Sequence, residues 1–102
     1  MIALIEAKHA QIAELCRRYR VRRLEAFGSA AGEGFDPLAS DLDFLVEFLT
    51  LAPGQRADAY FGLLEDLEDF FEHPVDLVMT RAITNPYFRQ AVERTREVVY
   101  AA

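Results

Sequence analysis

The sequence is poor in the residues that would mark a cross-linked, zinc-bound or membrane-borne chain. It has one cysteine, Cys16, so no disulfide can close within it. Cys16 falls in a helical apolar pattern without an obvious His or Asn companion, and a packed side chain is expected there rather than a nucleophile. The two histidines, His9 and His73, lie too far apart for ligand spacing, so no zinc site is expected. No apolar run approaches the roughly 18 residues of a membrane-spanning helix. The first residues, Met1 to Glu6, lack the basic region and cleavage site of a signal peptide, so a cytoplasmic protein is expected.

What is present is ordinary for a folded domain. The 102 residues are 52% hydrophobic and 27% charged, enough for one domain, 1–102, with a real core. The formal charge of −6 argues against a long nucleic acid as partner, because such ligands bind chiefly through Lys and Arg. The charges are segregated, with Arg17, Arg18, Arg20, Arg22 and Arg23 in one cluster and Glu65, Asp66, Glu68, Asp69 and Glu72 in another. Solvated faces account for both most simply, and a charged small molecule or a protein is the better partner for such a surface.

Residues 3 to 19 carry Ile5, Ile12, Leu15, Cys16 and Tyr19 at helical spacing. Val21 to Phe27 reads as a short strand ending at Gly28-Ser29. Residues 30 to 40 have loop composition, after a helical turn at Ser29-Ala30-Ala31. The clearest strand is Asp41 to Phe48, where Leu42, Phe44, Val46 and Phe48 alternate with Asp41 and Asp43. A helix follows from about Arg56 to Phe71, with Tyr60, Phe61, Leu64, Leu67, Phe70 and Phe71 expected mainly in the core. Pro74 stops it. Val75 to Thr80 is a second apolar strand, with Asp76 inside it. Asn85-Pro86 caps and opens a last helix, whose Tyr87 and Phe88 are expected to pack it. Val98 to Tyr100 closes as a short strand or a frayed end. This order gives an α+β, α/β-like domain: a small mixed sheet flanked by helices.

The acids in the strands carry the chemistry, because Asp is depleted in strands. Asp41 and Asp43, two apart, point the same way, and their repulsion is best relieved by a cation. Carboxylate oxygens suit hard divalent ions, Mg²⁺ above all where phosphates complete the shell. If the strands at 21–27 and 41–48 are antiparallel neighbours, the helix at 56–71 acts as a crossover returning the chain parallel to the second. Asp76, expected buried, then lies beside Asp41 and Asp43, at the edge where Gly28-Ser29 follows its strand. There the glycine admits a close ligand, and free N–H groups with the Ser29 hydroxyl suit phosphate oxygens. Gly-Ser and Asp-x-Asp at one fixed distance match by chance only about once in 10³ chains of this length.

Phe27-Gly28-Ser29, then Ser40-Asp41-Leu42-Asp43-Phe44-Leu45-Val46-Glu47-Phe48, then Val75-Asp76-Leu77-Val78 resembles the minimal nucleotidyltransferases. These form the small, single-domain branch of the DNA polymerase beta superfamily, and the likeness extends to Asn85-Pro86-Tyr87-Phe88. The resemblance implies the nucleotidyltransferase fold and transfer of AMP from ATP, or of another nucleotide from its NTP, to a hydroxyl. It implies that Asp41 and Asp43 bind two Mg²⁺ ions, and that Asp76 holds the ion nearer the acceptor and takes the acceptor's proton. Gly28 and Ser29 would hold the terminal phosphates. Proteins of this branch are commonly antitoxins that adenylylate a HEPN-domain RNase toxin on tyrosine, so the resemblance implies such a partner. The chain is short for a substrate-binding domain of its own, which also points to a partner surface. One departure is evident: the family often has an arginine soon after the serine, whereas this chain reads Gly28-Ser29-Ala30-Ala31-Gly32-Glu33-Gly34. Arg56 and Arg81 are the candidate substitutes for its charge. The alternatives are a weakened binding module that neutralises a toxin by occlusion, and a small-molecule adenylyltransferase. The acidic helix and exposed sheet edges leave self-association open.

Overall fold

Leu42, Phe44, Val46 and Phe48, every second residue of one strand, are all buried on one side of a four-stranded sheet. This alternation anchors the architecture in a computed structural model that describes residues 2–32, 36 and 40–102. The elements in chain order are α1 (Ala3–Ala7), α2 (His9–Arg18), β1 (Val21–Phe27), a 3₁₀ turn (Gly28–Ala31), β2 (Leu42–Phe48), α3 (Gln55–Phe71), β3 (Val75–Met79), a second 3₁₀ turn (Thr80–Ala82), α4 (Pro86–Thr95) and β4 (Glu97–Ala101).

The strands lie in the order β3-β2-β1-β4. β1 and β2 are antiparallel, β2 and β3 parallel, and β4 runs antiparallel to β1. The crossover by α3 therefore does what its length predicts, and the C-terminal segment is a paired strand rather than a frayed end. The sheet is mixed, as expected. Its first face packs Leu24, Leu42, Phe44 and Val46 against Ile5, Ile12 and Cys16 of α1 and α2 and Leu63, Leu67 and Phe71 of α3. Its second face holds a smaller cluster, Phe27, Leu45, Ile83 and Val92, which includes a residue of α4. Burial of this apolar surface at about 25 cal/mol per Å² is what commits the chain to two layers over one sheet.

Several local expectations are corrected by packing. The first helix is two pieces, broken at Lys8 (φ −110°, ψ 16°). There the Lys8 ammonium donates to the Phe70 carbonyl at 3.3 Å and stands 4.6 Å over the Phe70 ring, while His9 Nε2 meets the Val99 carbonyl at 2.7 Å. Contacts of this kind outweigh the modest propensity of a helix to continue. Phe61, expected in the core, is 63% exposed, because α3 turns Leu63, Leu67 and Phe71 inward instead. Tyr87, expected to pack the helix, is 81% exposed, whereas Phe88 meets Phe27 edge to face at 5.9 Å. The Asn85 cap is as read: its Oδ1 accepts from the N–H groups of Tyr87 and Phe88, with Pro86 in the first turn.

The charged clusters also resolve into local pairs. Arg17 meets Glu14, Arg18 meets Asp66, and Arg22 meets Glu47, at 3.4 to 3.9 Å across exposed surface. Such pairs contribute little stability. Among the described residues no helix is long and apolar enough to cross a membrane.

Candidate active site

The start of β2 places the first acids. β2 begins at Leu42, so Asp41 precedes the strand and is exposed, while Asp43 is half-buried on the α4 side of the sheet. In the ladder Asp43 stands opposite Phe27 at the end of β1 and opposite Asp76 on β3. Register partners on neighbouring strands project to the same side. Asp43 and Asp76 are therefore brought together, at the edge of the sheet where β1 gives way to Gly28. Asp76 itself is exposed, not buried as its apolar neighbours suggested, because β3 is the outermost strand and only Leu77 of its residues is deeply covered.

The electrostatics record the crowding. Burial, then the charges of Asp76 and Asp41, push the Asp43 carboxyl up to about 6. All three act against the ionised form, so the site is under charge strain as long as no cation enters it. The hydroxyl of Tyr60 donates to the Leu77 carbonyl at 2.6 Å, and its pKa is raised by burial and by the charge of Asp76. Cys16, by contrast, is a closed matter: it is fully buried and its thiol is pushed up to about 12 by that burial.

Gly28 opens the 3₁₀ turn with φ 61°, a left-handed backbone that side-chain-bearing residues rarely adopt. A Cβ built there would come 2.9 Å from Asp43 Oδ2. The turn and the acid are therefore neighbours. One expectation about the turn needs correcting, since the Gly28 N–H is not free: it donates to Thr95 Oγ1 at 2.9 Å. Thr95 ends α4, and its hydroxyl donates back to the Ala91 carbonyl at 3.1 Å. Ser29 is half-buried. Glu33, Gly34 and Pro37 of the connecting loop lie outside the described residues.

Sequence reasoning missed the clamp behind this edge. Glu25 on β1 is 3% exposed and accepts from Arg96 Nε at 2.6 Å, from Arg96 Nη2 at 2.7 Å and from Arg23 Nε at 2.7 Å. The fork geometry makes this a strong, orienting pair. It holds the end of α4 against β1, beside Thr95. An acid between Leu24 and Ala26 was a visible signal of the same kind as Asp76; nothing in the sequence signalled Thr95.

Arg56 and Arg81 do not reach this edge. They line a cleft with Val46, Glu47, Phe48, Met79 and Thr80, at the opposite end of β2 and β3. They cannot supply the charge that an arginine after Ser29 would bring.

The donor set suits a hard divalent cation: oxygen ligands only, one of them half-buried, with its carboxyl raised by that burial and by its acidic neighbours. Among the described residues no three acid, His or Cys side chains are already gathered tightly enough to hold a metal by themselves. Mg²⁺ commonly takes only one or two carboxylates, with water and substrate phosphates completing its shell, so the residues fit that ion.

A family model described as "Nucleotidyltransferase domain" matches residues 9–99. The chain is 36% identical over 86 residues to "Putative protein adenylyltransferase MJ0128" of Methanocaldococcus jannaschii, spanning 84% of this chain and 82% of that one. A solved structure called "putative minimal nucleotidyltransferase" superimposes with a TM-score of 0.69 at 32% identity, over 90% of this chain and 89% of that one. The tri-AMPylated HEPN toxin of Shewanella oneidensis in complex with MNT antitoxin gives a TM-score of 0.64 at 20% identity, over 96% and 73%, a likeness of fold alone.

Proposed function

As the chain belongs to the nucleotidyltransferase domain family, we propose that this nucleotidyltransferase moves AMP from ATP to a hydroxyl on a partner protein, with Mg²⁺, and that the partner is a HEPN-domain toxin it neutralises. The observation that carries the reading is the register of Phe27, Asp43 and Asp76, which sets the Gly28-Ser29 turn and the acids at one end of the sheet. The name of the M. jannaschii relative supports adenylyl transfer to protein, and the S. oneidensis complex supports a HEPN partner.

Asp41 and Asp43, with Asp76, would hold the cation. When bound, Mg²⁺ offsets the repulsion among these carboxylates and stabilises negative charge on the phosphates. Gly28 keeps the turn free of a side chain that would intrude on Asp43, the turn borders the phosphates, and the Ser29 hydroxyl would donate to a phosphate oxygen. Asp76, exposed on the edge strand β3, would take the proton of the attacking hydroxyl. The new bond joins the acceptor oxygen to the α-phosphorus, the bond to the bridging oxygen of the β-phosphate breaks, and pyrophosphate departs.

The test is incubation with labelled ATP, Mg²⁺ and a HEPN-domain protein encoded beside this gene. Label on the partner that disappears with Asp41→Ala or Asp43→Ala supports the enzyme. Full neutralisation of the toxin by those same variants supports occlusion without chemistry. That second reading draws on one observation, the lack of an arginine between Ser29 and Gly32.

A further inference from the structure

The missing arginine leaves a question of charge that α4 answers. A groove beside the Gly28 turn is lined by Gly28, Ala31, Gly32, Arg94, Thr95 and Glu97. Gly28, in turn, abuts Asp43. The groove therefore shares Gly28 with the edge of the acid cluster and runs along the turn to the last residues of α4, and among the described residues Arg94 is its only cation. We infer that Arg94 contacts the terminal phosphates of the nucleotide, delivering from the end of α4 the positive charge that the Gly28–Gly32 turn itself lacks. This rests on the nucleotidyltransferase reading of the site and extends it.

The neighbouring cations are already engaged. Arg89 donates to the Ile83 carbonyl at 2.8 Å, and Arg96 is closed on Glu25 and Glu93. Arg56 and Arg81 stand at the far end of the sheet. Arg94 has none of these commitments and opens onto the groove. Its backbone is held on both sides. Thr95 is tied to Gly28 by the 2.9 Å hydrogen bond, and Arg96 is anchored to β1 by its paired bonds to Glu25. An arginine whose two neighbours are fixed to the phosphate turn and to the sheet loses little backbone freedom on meeting a ligand, and only its side chain has to be ordered. The need for it is physical as well. The C-terminus of α4 brings partial negative charge to the groove, so a triphosphate entering there requires a cation.

The experiment is calorimetric titration of the full chain and of Arg94→Gln and Arg94→Lys with Mg-ATP, AMP and sodium tripolyphosphate, with thermal unfolding alongside. We expect Arg94→Gln to weaken Mg-ATP and tripolyphosphate binding by about tenfold or more, to leave AMP within about twofold, and Arg94→Lys to recover part of the loss. Unchanged Mg-ATP binding by Arg94→Gln, while the wild type binds, overturns the role of Arg94 alone. Equal losses for AMP and ATP together with a lower melting temperature make Arg94 merely structural, and overturn it too. A wild type that binds no Mg-ATP overturns the nucleotidyltransferase reading along with this one.

Discussion

Gly28 stands so close to Asp43 that a Cβ on its backbone would lie 2.9 Å from Asp43 Oδ2. The residue that must be small for backbone reasons (φ 61°) must therefore also be small for the sake of the acid. Gly28→Ala should incur both penalties, a left-handed alanine costing about 1–2 kcal/mol and a displaced carboxylate. Urea unfolding should show the first. Loss of nucleotide transfer beyond what the stability change explains should show the second. An alanine variant with full transfer would mean that the position of Asp43 is not set by this contact.

Asp43 itself should be a residue that costs the fold something. Its carboxyl is pushed up to about 6 by burial and by Asp76 and Asp41, so the folded state loses stability as pH rises from the unfolded carboxyl's pKa of about 3.9 to that value, and stays penalised above it. Asp43→Asn should abolish transfer and yet raise the melting temperature of the metal-free protein at pH 7.5, by roughly 2–5 °C after allowing for solvent screening. The gain should vanish below about pH 4, where the carboxyl is protonated in the folded and unfolded chains alike. Thermal unfolding in EDTA across that range decides it. A lower melting temperature at pH 7.5 would instead make Asp43 a structural acid.

The buried clamp should have the opposite pH signature. Hydrogen bonds from Arg96, then the Arg96 and Arg23 charges, hold the Glu25 carboxyl below its ordinary value in spite of its burial. A depressed acid stabilises the fold above its unfolded pKa of about 4.3, and that contribution is lost as pH falls through the lower folded value. Arg96→Ala should therefore cost about 2 kcal/mol at neutral pH, less than for a fully isolated charge because Arg23 remains. It should also flatten the acid limb of the stability curve. Denaturant titrations of wild type and variant at pH 7 and pH 3 measure both effects, and a constant difference between the two would remove Glu25 from the account.

What was legible in the sequence was local or periodic. The alternation of Leu42, Phe44, Val46 and Phe48 announced β2, and the length of α3 implied a parallel return to β3. Those two facts are enough to put Asp76 beside Asp43, as the register of β2 and β3 does. The parts that were not legible depend on partners remote in the chain. Glu25 and Arg96 are 71 residues apart and Gly28 and Thr95 are 67 apart, and no periodicity links either pair. Phe61 and Tyr87 were misplaced for a related reason. Hydrophobicity says that an aromatic ring prefers burial, but α3 and α4 each have one inward stripe, and which ring falls outside it is set by the sheet beneath.

Arg56 and Arg81 provide the sharpest test of which end of the sheet matters. They share a cleft with Val46, Phe48 and Met79, at the ends of β2 and β3 remote from Asp43 and Asp76. From Asp43 to Phe48 the strand advances by about 17 Å, at roughly 3.3 Å per residue. A guanidinium at that end cannot share a triphosphate with Gly28, and at such a distance in water its field is largely screened. Arg56→Ala and Arg81→Ala should therefore bind Mg-ATP within about twofold of wild type and keep their rate of AMP transfer. If either lost tenfold in Mg-ATP affinity without a change in melting temperature, the phosphates would have to lie at the Phe48 end, and the Gly28 turn would no longer be their cradle.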